Sequence, residues 1–123
     1  MEKLTKVEEE IMHIIWRLER CLVSDIIKDL ESVKKGDKKI PHSTISSIVR
    51  ILQKKGFVNY KAYGRTHEYF PIIEKKDYSK QSLKTLVSDY FNGSMDELVS
   101  FMVKEKDLNV KDLTELIDKL EEE

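Results

Sequence analysis

A mainly α-helical chain with one small β-hairpin is the fold class this sequence predicts, and three observations carry it. Apolar residues recur at helical spacing from Val7 to Leu52, the spacing changes to alternation between Phe57 and Ile72, and it becomes helical again beyond Pro71. The length of 123 residues suits a compact domain of roughly 70 residues followed by a shorter appendage that needs a partner to cover its apolar face.

The elements follow in order. Thr5-Lys6-Val7-Glu8 has the form of a capping box, with Val7, Ile11, Ile14, Ile15 and Leu18 on one face, so the first helix is expected from about Lys6 to Arg20. Cys21-Leu22-Val23 reads as a short sheet pairing. Ser24 is then expected to cap a second, brief helix that turns Ile26, Ile27 and Leu30 inward. A polar loop rich in lysine, Val33 to His42, leads through Pro41 into a third helix from about Ser43 to Lys55. Its apolar positions are Ile45, Ile48, Val49 and Leu52, and Gly56 is placed to close it. Phe57, Val58 and Tyr60, a turn over Ala62-Tyr63-Gly64-Arg65-Thr66, and His67 to Ile72 make two strands of a hairpin. Three helices and a hairpin in this order are a winged helix-turn-helix, expected over residues 1–73.

Residues 74–123 are expected to form a helical dimerisation segment. Leu83, Leu86, Val87, Tyr90 and Phe91 make one stripe that stops at Asn92-Gly93. Ser94-Met95-Asp96-Glu97 has the form of a second capping box, and Asn109 is placed to cap a last helix. Leu83, Leu86, Tyr90, Leu98, Phe101, Met102, Leu113, Leu116, Ile117 and Leu120 are the residues expected at the dimer contact, because so short a segment cannot bury them alone.

Charge separates the two parts. The formal net charge is only -1, but residues 1–73 carry 14 Lys and Arg against 10 Asp and Glu, whereas residues 74–123 carry 8 against 13. Between Val33 and Arg65 nine cations face the single carboxylate of Asp37. Such a local excess is the footprint of a polyanion partner, since each neutralised phosphate releases condensed counterion. The third helix is the strongest candidate to meet it: His42, Ser43, Thr44, Ser46, Ser47 and Arg50 are small or polar and allow close approach to a DNA major groove. Arg50 is the expected purine contact, and Lys54 and Lys55 read equally as phosphate contacts or surface charge, with Lys54 counted among the DNA-binding residues. Lys61, Arg65 and Thr66 stand where the wing meets backbone or minor groove.

Other classes are excluded or disfavoured. No apolar run approaches the roughly 18 residues that cross a bilayer, and the opening residues do not resemble a signal peptide, so a cytoplasmic protein without membrane insertion is expected. Cys21 is the only cysteine and reads as a small buried thiol. His13, His42 and His67 lack metal-ligand spacing, and no phosphate loop or nucleophile motif occurs; no cofactor, metal or enzymatic activity is expected. His13 reads as a histidine near the buried side of the first helix, and Met12 and Trp16 as packing residues. Tyr60, Tyr63, Tyr69 and Phe70 read as hairpin residues more than as a base-stacking platform. The rival to a DNA-binding repressor is a winged-helix protein-interaction module without sequence-specific DNA binding.

Three segments in order, Glu8-Glu9-Glu10-Ile11-Met12-His13-Ile14-Ile15-Trp16, Thr44 to Gly56, and Gly93-Ser94-Met95-Asp96-Glu97-Leu98-Val99, resemble the penicillinase-repressor family of winged-helix regulators. That resemblance implies a homodimer on palindromic double-stranded operator DNA that represses antibiotic-resistance genes, with a membrane-embedded metallopeptidase sensor as a further partner. It also implies release by proteolysis in the dimerisation segment. Members are cut between asparagine and phenylalanine; the matching pair here is Ser100-Phe101, which keeps only the phenylalanine. Related copper-responsive repressors carry a cysteine-rich C-terminal motif, which this chain lacks.

Overall fold

The computed structural model describes residues 2–33 and 39–106, together with 111, 114, 115 and 118. They belong to two compact units, Met1–Lys75 and Lys76–Glu123. The first contains helices α1 (Lys6–Leu18), α2 (Val23–Val33) and α3 (His42–Lys54) and the antiparallel strands β1 (Val58–Tyr63) and β2 (Thr66–Pro71). With the hairpin following the third helix, this is a winged helix.

The capping box at the start of α1 forms. Thr5 Oγ1 accepts from the Glu8 amide at 3.2 Å, and Glu8 Oε1 accepts from the Thr5 amide at 2.9 Å. The helix ends two residues earlier than its periodicity suggests, at Leu18, because Glu19 turns to a positive φ of 67°. That turn delivers Cys21 to the hairpin: its amide donates to Tyr69 O at 3.0 Å, and the Tyr69 amide returns a bond to Cys21 O at 2.7 Å. The expected sheet pairing is therefore one bridge, Cys21 with Tyr69.

Ser24 does not cap α2. The helix has already begun at Val23, and the amide preceding it, that of Leu22, donates to Asp25 Oδ2 at 2.9 Å. An aspartate reaching back from the first turn satisfies the exposed amide, and the serine hydroxyl is left facing outward. Ile26 and Leu30 are buried as expected, with Ile27 half-buried.

Gly56 ends α3 as the sequence suggests. Its φ is +83°, its amide donates to Gln53 O at 3.0 Å, and the Phe57 amide reaches Leu52 O at 3.0 Å. This paired arrangement consumes helix-end carbonyls and needs a left-handed residue between them, which glycine adopts without steric cost. The hairpin turn is tighter than expected, since Tyr63 still pairs with Thr66 and only Gly64 and Arg65 lie between the strands. Gly64 has φ +64°, and Arg65 is not among the residues with positive φ; glycine first in a two-residue turn matches the right-handed strand twist.

Phe57, Ile11, Met12, Ile15, Ile26, Leu52, Val49 and Val58 are almost wholly removed from water. At about 1.5–3 kcal/mol for each large apolar side chain buried, this one core fixes where α3 can lie. Two polar ties reinforce it. Trp16 Nε1 donates to Ile73 O at 2.8 Å, fastening α1 to the chain beyond the hairpin. Lys55 Nζ lies 2.6 Å from Glu8 Oε1 and 3.3 Å from Lys3 O, joining the end of α3 to the start of α1. Cys21 is a buried free thiol; burial first, then the carboxylates of Asp25 and Glu68, push its pKa up to about 11.

In the second unit, α4 (Lys75–Tyr90) leads to α5 (Met95–Lys106). Asn92 and Gly93 make the turn with φ values of 53° and 76°. Ser94 caps α5 through its hydroxyl, which accepts from the Glu97 amide at 3.2 Å, but the box is only half made. Glu97 Oε2 accepts from Asn92 Nδ2 at 3.4 Å instead. Phe91 and Phe101 meet with ring centres 5.5 Å apart. Beyond α5, Lys111, Thr114, Glu115 and Asp118 are helical and exposed. Asn109 lies outside the described residues, as do Leu113, Leu116, Ile117 and Leu120 of the expected dimer contact.

Candidate nucleic-acid interface

Helix α3 sorts its residues by face. Ile45, Val49 and Leu52 are buried, and the 3.6-residue period then turns Ser43, Ser47 and Lys54 to the opposite side, with Ser46 and Arg50 on the flank between. His42, Ser43, Thr44, Ser47, Arg50 and Lys54 are exposed, and Ser46 is half-buried. Ser47 Oγ donates to Ser43 O at 2.9 Å, which keeps this hydroxyl low against the helix. The outer side of α3 thus presents short hydroxyl side chains beside the partly exposed Ile51 and the long Lys54.

The flank carrying Ser46 and Arg50 faces the hairpin across a cleft of about 450 Å³. Three elements line it: Leu22, Val23 and Ser24 at the start of α2, His42, Ser46 and Arg50 of α3, and Arg65, Thr66, His67 and Tyr69 of the hairpin. Five of the residues expected from sequence thus converge, namely His42, Ser46, Arg50, Arg65 and Thr66. Ser43, Thr44, Ser47, Lys54 and Lys61 lie outside this lining. Lys61 is exposed with its Nζ 5.4 Å from the centre of the Tyr63 ring.

Arginines divide into two kinds here. Arg17 pairs with Asp29, and Arg20 reaches Glu68 at 3.4 Å while lying 5.6 Å from the Phe70 ring centre. Among the described residues Arg50 and Arg65 have no carboxylate partner. Arg50 is close enough to Tyr69 for its charge to oppose the upward shift that burial gives the phenol.

Lys55 is not available to a phosphate. It is mostly buried and paired with Glu8, itself the one buried charged residue among those described. Burial tends to raise the pKa of that carboxyl, but the hydrogen bond and charge of Lys55 and the bonds from Thr5 outweigh it and hold the value below the ordinary one. His13 also differs from expectation: it is exposed, 3.8 Å from Glu9 Oε1 and edge-on to Trp16 at 5.6 Å. Helical spacing puts it beside the buried Met12 and Ile14, yet one step round the helix turns it outward.

Ser24 and His67 line the cleft without being among the residues that the sequence marks for DNA. His67 stacks on Tyr60 with ring centres 4.0 Å apart and planes within 9°. Strand alternation alone places both on one hairpin face, because Tyr60 pairs with Tyr69 and Ala62 with His67. Ser24 carried no such signal, as it enters the cleft only through the long-range bridge at Cys21.

In the second unit Leu86, Tyr90 and Phe101 are exposed, while Leu83 and Met102 are half-buried. Leu98 is buried within the single chain. Ser100 and Phe101 are both exposed and lie inside α5. Among the described residues no cluster of His, Cys, Asp and Glu is suited to a metal ion, and no helix is long and apolar enough to cross a membrane.

Comparison with known proteins agrees with this architecture. The methicillin resistance regulatory protein MecI of Staphylococcus aureus is 26% identical over 93% of this chain and 89% of its own length. The penicillinase repressor of Bacillus licheniformis is 27% identical over 98% and 91%. The solution structure of the DNA-binding domain of the repressor BlaI matches 63% of this chain and 94% of that one, with 30% identity and a TM-score of 0.51. A complex structure of hsRosR-S4 shares the fold, at 21% identity and TM-score 0.56, over 85% of this chain and 90% of that one. The sequence pattern of the penicillinase repressor family extends over residues 4–122, and the chain belongs to that family.

Proposed function

We propose that this protein is a transcriptional repressor that binds palindromic double-stranded operator DNA as a homodimer. The observation that supports it most is the convergence of α3 and the hairpin tip on one exposed surface of hydroxyls and of arginines without a carboxylate partner among the described residues. Helix α3 enters the major groove, with Ser43, Thr44 and Ser47 nearest the bases and Lys54 toward the backbone, and the wing carries Lys61, Arg65 and Thr66 to the flanking backbone. The relatives named for methicillin resistance and penicillinase repression support antibiotic-resistance genes as the regulated class.

Two copies pair through the helices after Lys75, using the exposed Leu86, Tyr90 and Phe101. Two-fold symmetry then sets half-sites one helical turn, about 10 bp, or a multiple apart. Release follows proteolysis in this segment, triggered by a membrane metallopeptidase sensor, with Ser100-Phe101 as the bond to cut.

Selection of bound sequences from random duplexes tests the central point. The expected result is one inverted repeat, bound at least 1,000-fold more tightly than unrelated DNA, in the ordinary range for specific regulators. Recovery of unrelated sequences with equal affinity would instead mark the fold as a protein-interaction module. Incubation of the chain with its sensor, followed by mass measurement of the fragments, tests the cleavage site.

A further inference from the structure

The cleft between α3 and the hairpin holds both arginines that lack a carboxylate among the described residues, and three hydroxyls that point to no protein partner there. Among the described residues Ser24, Ser46 and Thr66, like Ser43 and Thr44 on the rest of α3, make no side-chain hydrogen bond, whereas Thr5, Ser32 and Ser47 use theirs. Every arginine outside the cleft is paired, with Asp29 or with Glu68. Two uncompensated guanidinium groups on separate elements, with hydroxyl donors around them, form a receptor for one tetrahedral oxyanion, since each guanidinium donates two parallel bonds to phosphate oxygens.

We propose that this cleft clamps a single backbone phosphate, with Arg50 and Arg65 binding the same group from opposite sides. The inference rests on the operator-binding reading and refines it. It gives Arg50 a phosphate in place of the purine expected from sequence, and leaves base reading to the side of α3 that carries Ser43 and Ser47. The cleft also ties the wing to the recognition helix through the DNA, because neither arginine completes the site alone. Sharing makes the contribution of the two side chains coupled instead of additive.

Operator binding by the full-length chain is measured against salt concentration for Arg50→Gln, Arg65→Gln and the double variant. One shared phosphate predicts that the double variant lowers the slope of log affinity against log salt by about 0.9, the value for one neutralised phosphate, where two separate contacts would lower it by about 1.8. Methylphosphonate is then scanned along the operator backbone. The expected result is one position whose neutralisation weakens the wild type but no longer affects either single variant. Arginines that map to different positions, or Arg50→Gln relaxing base preference with no phosphate position lost, would overturn the clamp. Titration with inorganic phosphate, read at the two arginine side-chain N–H signals by NMR, separates the two readings: one common saturation curve supports the cleft without DNA, and separate or absent responses overturn it. A chain that responds to phosphate but selects no operator would overturn the DNA reading alone.

Discussion

The two units solve the problem of apolar surface differently. In the first, α1 to α3 and the hairpin enclose Phe57, Ile11, Met12, Ile15 and Leu52, and the outer side of α3 carries Ser43, Ser47 and Lys54 beside a partly exposed Ile51. In the second, Leu86, Tyr90 and Phe101 stay 41%, 76% and 52% exposed. A unit that closes such a core, even with Val7, Val33 and Ile72 left at its surface, is finished as a fold and open for a polar ligand on its hydroxyl and cationic face, whereas the second buries only Tyr78, Val87 and Leu98 among its described residues. One that shows aromatic rings to water is open for another apolar surface. Charge follows the same division, with the cationic excess in the first part and the acidic excess in the second.

Alanine at matched aromatics should expose the difference most strongly. Phe57→Ala empties the centre of the first core and should cost about 3–5 kcal/mol in chemical denaturation. Phe101→Ala, half exposed in the single chain, should fall within about 0.5 kcal/mol under conditions too dilute for pairing. Equal losses would erase the contrast. Next in size is the effect of charge on the exposed rings: Leu86→Asp with Phe101→Asp should give a monomer by sedimentation and about 100-fold weaker binding to a full palindrome, because the half-sites lose their link. A dimer that persists would move the pairing surface elsewhere.

Two neighbouring lysines sharpen the comparison within the first unit. Lys54→Gln should flatten the salt dependence of operator binding by about 0.9 in slope, as for one phosphate contact, whereas Lys55→Gln should leave the slope unchanged and lower stability. A smaller effect is expected from pH. The Glu8 carboxyl has a folded pKa below the ordinary value of a glutamate, so its contribution is complete above that ordinary value and is lost as pH falls through the folded pKa. Glu8→Gln should therefore remove part of the acid sensitivity of unfolding below about pH 4.5, with the second unit's behaviour unaltered. Parallel acid curves for the two proteins would show that the pair does not link proton binding to folding.

Much of this was legible in sequence where the cause is local. The box at Thr5 and Glu8, the stop at Gly56, the alternation of the hairpin and the polar face of α3 each depend on neighbours a few residues apart. What escaped was made by contacts distant along the chain. Lys55 looks like its neighbour Lys54 until folding brings Glu8 to it from the other end of the unit. Ser24 has the chemistry of a cap, but Asp25 satisfies the amide before it, and the bridge from Cys21 to Tyr69 turns this corner toward the wing. His13 was ambiguous by a single step of helical phase. The arginines of the cleft are individually expected at DNA; that they line one cleft follows only from packing.

The wing is fastened at its root and unsupported at its tip. Cys21 and Tyr69 exchange two hydrogen bonds, the Ile72 amide donates to Phe57 O at 2.8 Å, and Arg20 meets Glu68, while Gly64, Arg65 and Thr66 extend into solvent. Such a member behaves as a cantilever. Bending at its end is opposed by the two-strand ladder and the Tyr60–His67 stack, so Arg65 can close on the phosphate it shares with Arg50 without a displacement at Phe57 or Val58. Operators that hold this phosphate nearer to or farther from Arg50 would then be distinguished by the small work of flexing the wing.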